Sequence, residues 1–462
     1  MPSKPLSRNV ISMPTKDLSL STSTFANELT TGAVSRFNLN VEAIRISKDL
    51  EESGREPTSA EQLTLGKYSG FGDSAFGPAF ERFNRDEGWQ RRRAELQEVV
   101  GEDEFRSIER SRLNAFFTTP EVIDTMWKGI ERFGGDTLTT PTILEPSAGA
   151  GRFLGMQPAD MAARSNRIAV ELDEVTGNIV KHAYPETKVF VMGYQDAPIT
   201  NDSVDIAISN VPFGNFPVND PEFRKGRKLL TRQIHNYFFA KTLDKLRPGG
   251  MLAFITTHNT LDAPTAEPIR QALADRADLI GAVRLPKTAF PDTEVVTDII
   301  YMRKRLPSEE PGDQRWVGTT RINLDTGQPA DVDESQFNTA FISNYFIDHP
   351  QDVLGTHSKT GTMFRGGDYS VEPLAAPLAQ SMAAATARAP ENILSNRGGA
   401  TAAGIFRPLD KDPIFVGLSA SDQAIADGMV GIRNAAQNVL DLQLAEASDA
   451  DLNTGQADLS RL

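Results

Sequence analysis

Residues 209–216, SNVPFGNF, combine a side-chain amide, a proline and an aromatic ring directly after the apolar run VDIAI. Because a proline restricts the residue before it to an extended backbone, we expect Asn210 and Phe213 to project from a stiffened loop at the carboxyl end of a strand. Such a loop presents fixed hydrogen-bond acceptors, the Asn210 amide oxygen and the carbonyls that follow it, beside an aromatic surface. The simpler interpretation is a strand-ending loop whose phenylalanine packs into the core.

A second candidate follows an earlier apolar strand, where residues 143–155 read ILEPSAGAGRFLG. Glu145 ends this strand, and Gly149 and Gly151 form a turn whose backbone can approach a ligand closely. A dinucleotide fingerprint would place its third glycine at position 154, which is Leu154, so a nicotinamide cofactor is disfavoured. A nucleoside ligand still fits this turn.

Polar residues also end the next two strands. Glu171 ends the second strand about twenty residues after the glycine turn, where an acid can bind ribose hydroxyls. Gln195 or Asp196, in the segment MGYQDAP after the third strand, is placed to meet an adenine amino group. Each acid alone is also consistent with a solvated strand end. Together they favour a ligand site, because open α/β sheets bind ligands at the carboxyl edge.

These residues meet only if a parallel sheet positions them. Near-continuous apolar runs alternate with helical patterns such as HNYFFAKTLDKL at 235–246. This alternation predicts an α/β, Rossmann-like, doubly wound fold with a mostly parallel sheet. The strand candidates are 142–146, 167–171, 188–192, 204–209, 251–256, 278–283 and 297–303.

The composition narrows the possible functions. The chain has 462 residues, no cysteine and a formal net charge of −14. The absence of cysteine excludes a disulfide framework and a thiolate nucleophile, and the five histidines show no ligand spacing, so no metal site is predicted. No apolar run reaches the roughly 20 residues of a membrane span, and no signal-peptide pattern opens the sequence, so we expect a cytoplasmic protein. The charge argues against indiscriminate coating of nucleic acid, but it allows a local basic groove.

Changes in composition divide the chain into five regions. The first is polar and expected to be partly disordered, and the second carries the Gly-aromatic segment GKYSGFGDSAFG at 66–77. The predicted limits are a polar N-terminus at 1–55, a helical N-terminal region at 56–115, the α/β domain at 116–306, an irregular accessory region at 307–390 and an Ala-rich, helical extension at 391–462.

Four motifs in order resemble the N6-adenine DNA methyltransferases of the gamma arrangement. They are FFTTPEVIDTM at 116–126, EPSAGAG, the acid that ends the second strand, and NVPF after the fourth strand. The resemblance implies a seven-stranded class I methyltransferase core that uses S-adenosylmethionine and acts on DNA. The cofactor contacts that it implies are Phe117, Thr119, Glu145, Ser147, Gly149, Gly151, Glu171, Gln195 and Asp196.

The resemblance also gives the NVPF segment a role. Asn210, Val211, Pro212 and Phe213 stand where the family has an Asn-Pro-Pro-aromatic catalytic tetrapeptide. Fixed acceptors, the Asn210 oxygen and a following carbonyl, would bind the hydrogens of an exocyclic amine, and Phe213 would stack on a base extruded from the helix. Direct methyl transfer requires no cysteine, whereas a C5-cytosine enzyme needs that nucleophile.

Two alternatives remain open at this point. Position 211 is valine where the commoner motif has proline, so a degenerate domain that binds the cofactor or DNA without turnover is the first alternative. A methyltransferase for protein glutamine or for RNA is the second, because those families share an Asn-Pro-Pro-aromatic site.

A basic segment follows the candidate catalytic loop. Residues 222–233, EFRKGRKLLTRQ, contain Arg224, Lys225, Arg227, Lys228 and Arg232. A basic patch beside the pocket of an acidic protein is where DNA phosphates are expected, and an ordinary solvated loop is the alternative.

The flanking sequences resemble large methylase–helicase proteins of phages and conjugative elements, some of which are antirestriction proteins. The similar segments are EQLTLGKYSGFGDSAF, NVPFG and NYFIDHPQDVLG at 344–355, with Asp73 in place of one glycine. The sequence contains no P-loop motif of a helicase. The resemblance therefore implies DNA as a partner, together with a helicase subunit or domain outside this chain.

Overall fold

The computed structural model describes residues 16–25, 31–112, 118–223, 226–290, 294–330, 338–361 and 367–394. The α-helices of these residues, α1 to α13, are Ala33–Ser53, Ser59–Gly66, Gly77–Phe80, Glu87–Ser111, Pro120–Arg132, Arg152–Gly155, Ala159–Ala162, Glu174–Ala183, Ile234–Lys245, Asn259–Asp262, Glu267–Ala274, Asn344–Asp348 and Leu378–Arg388. The strands, β1 to β11, are Thr142–Glu145, Asn166–Glu171, Lys188–Val191, Val204–Asn210, Leu246–Thr257, Ala277–Arg284, Thr297–Lys304, Thr319–Asn323, Thr339–Ser343, Gly355–Gly361 and Asp368–Pro373.

The first seven strands form one sheet in the order β3-β2-β1-β4-β5-β7-β6. Strands β3, β2, β1, β4 and β5 pair in parallel, and β7 runs antiparallel to both β5 and β6. The predicted Rossmann-like, mostly parallel sheet of seven strands is confirmed. Beyond residue 394, the predicted Ala-rich, helical extension at 391–462 lies outside the described residues.

Helices cover both faces of this sheet, which is why its strands are apolar on both sides. Successive strand residues belong to two different cores: Ile143 and Ile206 to one, Leu144 and Ala207 to the other. The first core also contains the buried faces of α1, α4, α5 and α8, and the second contains those of α9 and α11. The result is three layers with the sheet in the middle.

Strand β5 begins earlier than the sequence predicts. It includes LRPGG, which precedes the predicted start of the strand at Met251. Gly249 has a φ of 76°, and a Cβ on Gly250 would lie 2.9 Å from the Asp205 carbonyl oxygen, so only glycines fit this irregular pairing with β4.

The N-terminal region packs against the sheet domain. The backbone amides of Leu18 and Leu20 donate to the carbonyls of Ala183 and Gly155, at 3.0 and 2.7 Å. Helices α1 and α2 both contact α8. Residues 16–25 and 33–66 therefore lie on the same core as the sheet, while the predicted region limits stay predictions.

The remaining described strands form two small antiparallel sheets after the main domain, β8 with β9 and β10 with β11. None of the helices in the described ranges has the length and apolar character needed to cross a membrane.

Candidate active site

A cavity of about 330 Å³ opens at the carboxyl ends of β1, β2 and β4. Glu145, Glu171 and Asn210 are the last residues of these three strands, and all three line the cavity. Strand β1 lies between β2 and β4, so the strand order reverses at this point. Open α/β sheets bind ligands at such reversals, and the volume falls in the range of small-molecule sites, roughly 300–1,000 Å³.

The glycine turn after β1 forms one wall of the cavity. Gly149 and Gly151 have φ values of 50° and 70°, which disfavour other residues. A Cβ on Gly151 would lie 2.6 Å from the buried ring of Tyr184, so this glycine also permits close packing. Ser147 and Gly149 line the cavity, whereas Gly151 lies behind it as the N-cap of α6.

Three hydrogen bonds fix this turn between its neighbouring strands. The Ala148 amide donates to the Val170 carbonyl at 2.9 Å, and the Gly149 amide donates to Oε2 of Glu171 at 2.8 Å. From the other side, the Ser209 hydroxyl donates to the Ser147 carbonyl at 3.1 Å. The turn is thereby held in place before any ligand binds.

Glu171 is the acidic centre of this arrangement. Its other oxygen, Oε1, accepts a hydrogen bond from the Asp173 amide at 2.9 Å. Burial raises the pKa of Glu171 to about 7, against the opposing effect of the two backbone hydrogen bonds. The carboxylate therefore changes its charge close to neutral pH.

Glu145 provides a test of whether a polar ligand fits the cavity. The residue is 1% exposed, and burial raises the pKa of its carboxyl group well above the ordinary value. Among the described residues, Oε2 of Glu145 has no hydrogen-bond partner. A buried polar atom in a cavity wall is normally satisfied, so a bound ligand with a polar group fits here.

The candidate catalytic loop continues the sheet before it turns into the cavity. Asn210 pairs with Ile255 of β5, and the amide of Val211 donates to the Ile255 carbonyl at 3.2 Å. Pro212 and Phe213 then line the cavity, and the Phe213 ring also packs on the core. The loop thus brings Asn210 and Phe213 to the same cavity as Gly149 of the glycine turn.

Phe216 is a further aromatic residue of the same loop. It lines the cavity and is 43% exposed. A Cβ on Gly214 would lie 2.3 Å from the Phe216 ring, so the glycine allows the ring to fold back. The second phenylalanine of NVPFGNF was the available signal for this residue.

Several of the predicted cofactor residues lie away from the cavity or outside the described residues. Phe117 lies outside the described residues. Thr119 is the N-cap of α5, and the 4% exposed Thr118 lines the cavity in its place. Gln195 and Asp196 follow β3 but do not line this cavity, and the Gln195 amide donates to the exposed Asp196 carboxylate at 2.7 Å.

Residues that precede the sheet domain complete the cavity wall. Tyr68, Gly70 and Phe71 come from the Gly-aromatic segment, and Ile108 and Arg112 come from the end of α4. The unusual segment was visible in the sequence, but its position over the cavity was not.

The basic segment is only partly available for nucleic acid. Arg224 and Lys225 lie outside the described residues. Arg227 donates to Asp244 at 2.8 Å and lies 4.1 Å from the Phe223 ring centroid, so it is engaged within the protein. Lys228 and Arg232 are exposed. The predicted DNA contact of this segment stays a prediction, and Lys228 and Arg232 are its exposed cations among the described residues.

A family model matches the sheet domain and the end of α4. Residues 103–321, just under half of the chain, are similar to the family described as N-6 DNA Methylase. The resemblance read from the four motifs and the class I methyltransferase fold are confirmed for this domain.

Among characterised proteins, this chain is similar to defense against restriction protein B of Escherichia phage P1. The two are 30% identical over 201 residues, which cover 43% of this chain and 8% of the phage protein. The chain thus corresponds to a small part of that relative.

Among solved structures, two matches illustrate the low level of similarity. One is a protein assigned as a class I S-adenosylmethionine-dependent methyltransferase from Listeria monocytogenes, 15% identical, with a TM-score of 0.38 and coverage of 61% of this chain and 91% of that one. The other is a modification subunit of a type I restriction enzyme from Vibrio vulnificus, 13% identical, with a TM-score of 0.36 and coverage of 70% and 74%. The fold class follows from the strand order of this chain itself.

Proposed function

We propose that this domain transfers a methyl group from S-adenosylmethionine to the N6 amino group of adenine in DNA. The observation that carries the proposal is the shared cavity: Asn210, Pro212 and Phe213 line the same space as the glycine turn and Glu171. The family match to residues 103–321 supports the same reaction class.

The residues at the carboxyl edge of the sheet suit such a cofactor. Glu171 offers carboxylate oxygens to ribose hydroxyls, and the glycine turn lets the backbone approach the centre of the molecule. Thr118 and the buried carboxyl of Glu145 supply polar atoms in the same wall. When bound, S-adenosylmethionine supplies an electrophilic methyl group on a sulfonium.

The catalytic loop prepares the amine. The Asn210 side-chain oxygen and the carbonyl of Val211 accept the two amine hydrogens, which draws the nitrogen lone pair out of conjugation with the purine ring. Because the β4–β5 pairing fixes the start of this loop, these acceptors need little reorganisation during the reaction. Phe213 stacks on the target base, which must leave the double helix to reach the cavity.

The similarity to the phage protein suggests a setting. We propose that the domain modifies DNA in phage or mobile-element biology, in restriction-modification or antirestriction. A helicase would act as a separate partner or in a longer protein, unless the chain is a reduced member of that group. A catalytically degenerate DNA-binding or assembly subunit is the second candidate, because valine replaces the commoner proline at position 211.

The first experiment is a methyl-transfer assay with radiolabelled S-adenosylmethionine and a panel of duplex DNA, single-stranded DNA, RNA and protein substrates. We expect label on adenine-containing DNA only. Label on RNA or on protein glutamine would replace the proposed substrate, and no transfer to any member would favour the binding module.

Calorimetry tests the cofactor separately. S-adenosylhomocysteine should bind, and Glu171→Ala should weaken that binding by about 1.5–3 kcal/mol, because a charge-assisted hydrogen bond is removed. Glu174→Ala, at an exposed acid three positions later, serves as the matched control. Tight NADH binding without binding of S-adenosylhomocysteine would contradict the proposal.

A further inference from the structure

Arg112 stands out among the residues that line the cavity. The wall is otherwise mostly apolar or neutral, and it carries three acidic side chains, those of Glu145, Glu171 and Asp173. Arg152, the other arginine of the wall, is 5% exposed and its guanidinium lies 4.6 Å from the Phe25 ring centroid. Arg112 is therefore the cavity cation best placed to meet a negatively charged ligand group.

The guanidinium of Arg112 is held by an aromatic ring and not by an acid. It lies 4.9 Å from the centroid of the Phe80 ring, and it forms no hydrogen bond or ion pair with another residue of the described ranges. A guanidinium that rests on a ring still has N–H groups directed outward from its edge. This edge can bind a carboxylate through two parallel hydrogen bonds.

The Gly-aromatic segment packs against Phe80, the residue whose ring contacts the Arg112 guanidinium. Asn40, fully buried, accepts a hydrogen bond from the Ser69 amide at 2.9 Å and donates one to the Gly70 carbonyl. Gly70 has a φ of 62°, which a larger residue disfavours. The resulting turn places the centroids of the Phe71 and Phe80 rings 5.8 Å apart.

Helix α4 also packs against Phe80, and it approaches the loop after β2. The Phe80 and Phe105 rings stack with centroids 5.5 Å apart. The Ser107 hydroxyl donates to the Asp173 carboxylate at 3.4 Å. The end of α4, and Arg112 with it, is thus tied to the side of the cavity where Glu171 lies.

We propose that Arg112 binds the carboxylate of the methionine end of S-adenosylmethionine, and that the turn at 68–80 holds it in position. This inference rests on the proposed function, because it assumes that cofactor. The carboxylate of an amino-acid end would be repelled by the ionised acids of this wall, and Arg112 supplies a cation that can bind it.

A pair of ligands isolates this interaction. S-adenosylhomocysteine carries the amino-acid end, whereas 5′-methylthioadenosine has the same adenosine and sulfur without it. By calorimetry, Arg112→Ala should weaken S-adenosylhomocysteine binding about 10- to 150-fold, the range for a hydrogen-bonded charge. Binding of 5′-methylthioadenosine to the same variant should be unchanged, which also reports an intact cavity.

Two further variants complete the experiment. Arg110→Ala, at an exposed position of the same helix, should leave both affinities unchanged. Arg112→Lys should restore part of the affinity that Arg112→Ala removes, because lysine keeps the charge without the planar fork.

Equal weakening of both ligands, or no weakening of S-adenosylhomocysteine, would overturn the assignment of Arg112. If the wild-type protein binds neither ligand, the proposed function itself fails and this inference falls with it. The two failures are thus distinguishable from the wild-type titration alone.

Discussion

The amide of Val211 donates to the carbonyl of Ile255 at 3.2 Å, so the candidate catalytic loop starts as an extension of the β4–β5 pairing. Proline, the commoner residue of the family at this position, has no amide hydrogen. Val211 is also 1% exposed, so its side chain fills the core beneath the loop. In this chain valine has a structural role that proline would not perform.

We therefore expect Val211→Pro to destabilise the protein and not to improve it. Loss of the hydrogen bond leaves a buried carbonyl unpaired, which costs about 1–3 kcal/mol of the free energy of unfolding. Urea denaturation measures this decrease, provided that the slope of the unfolding free energy against urea concentration is the same in both proteins. Val211→Ala is the control that keeps the backbone N–H. A Val211→Pro variant as stable as the wild type, with higher methyl transfer, would show that the pairing is dispensable.

Asn210→Ala should abolish turnover while cofactor affinity stays the same. Loss of one preorganised acceptor for the amine typically lowers the rate on the order of 10²–10³-fold. Single-turnover methyl transfer gives the rate, and calorimetry on the same variant gives the cofactor affinity. Asn215→Ala, at an exposed asparagine of the same loop, should change neither. A parallel loss of cofactor binding in Asn210→Ala would place this residue in the cofactor pocket instead.

Phe213→Ala should weaken binding of the target base. Stacking on an aromatic side chain contributes about 1–3 kcal/mol per base, so affinity for a single-stranded adenine oligonucleotide should fall correspondingly. Fluorescence anisotropy in the presence of S-adenosylhomocysteine measures this affinity. The matched control is Phe83→Ala, because Phe83 is 87% exposed and does not line the cavity. Equal decreases in both variants would argue against stacking on Phe213.

Cofactor affinity should depend on pH through Glu171, whose pKa is raised by burial to about 7. Only the ionised carboxylate is a pure acceptor for the two ribose hydroxyls, so binding should strengthen as pH rises toward that value and level off above it. Linkage to one proton limits the change to about tenfold per pH unit. Glu171→Gln should remove the dependence, and a wild-type affinity constant across this pH range would contradict the role of the carboxylate.

The basic segment should contribute to DNA binding through Lys228 and Arg232. Replacing both by glutamine should lower DNA affinity and reduce the slope of log affinity against log salt by about 0.9 for each phosphate that the segment no longer neutralises. Lys128→Gln combined with Arg106→Gln, two residues whose side chains are each 62% exposed on α5 and α4, is the charge-matched control. An unchanged slope in the Lys228 and Arg232 variant would identify the segment as ordinary surface.

The sheet and the strand-end residues were predictable because their signals are local. Apolar runs of strand length alternate with helical patterns, and parallel pairing then brings the last residues of β1, β2 and β4 to one edge. Glu145, Glu171 and Asn210 follow from that rule without any knowledge of the side-chain packing.

The rest of the cavity depends on packing between distant segments. Arg112 reaches the wall because the end of α4 packs against the loop after β2, and Tyr68 reaches it from the segment after α2. No spacing in the sequence encodes either contact. Whether Thr118 or Thr119 lines the cavity depends on where α5 begins. Sequence propensities locate such a helix boundary only to within a residue or two. The engagement of Arg227 within the protein was not predictable, because its partner Asp244 lies on a different element.

The position of the Gly-aromatic turn has a consequence for heredity. Tyr68 and Phe71 precede residue 103, where the family match begins, yet they line the same cavity as Asn210. Genes exchange segments by recombination, and a crossover between the turn and the sheet domain would join two parts of one cavity that had not been selected together. We therefore expect the helices before the domain to be inherited with it as one unit, whatever else the surrounding gene acquires or loses.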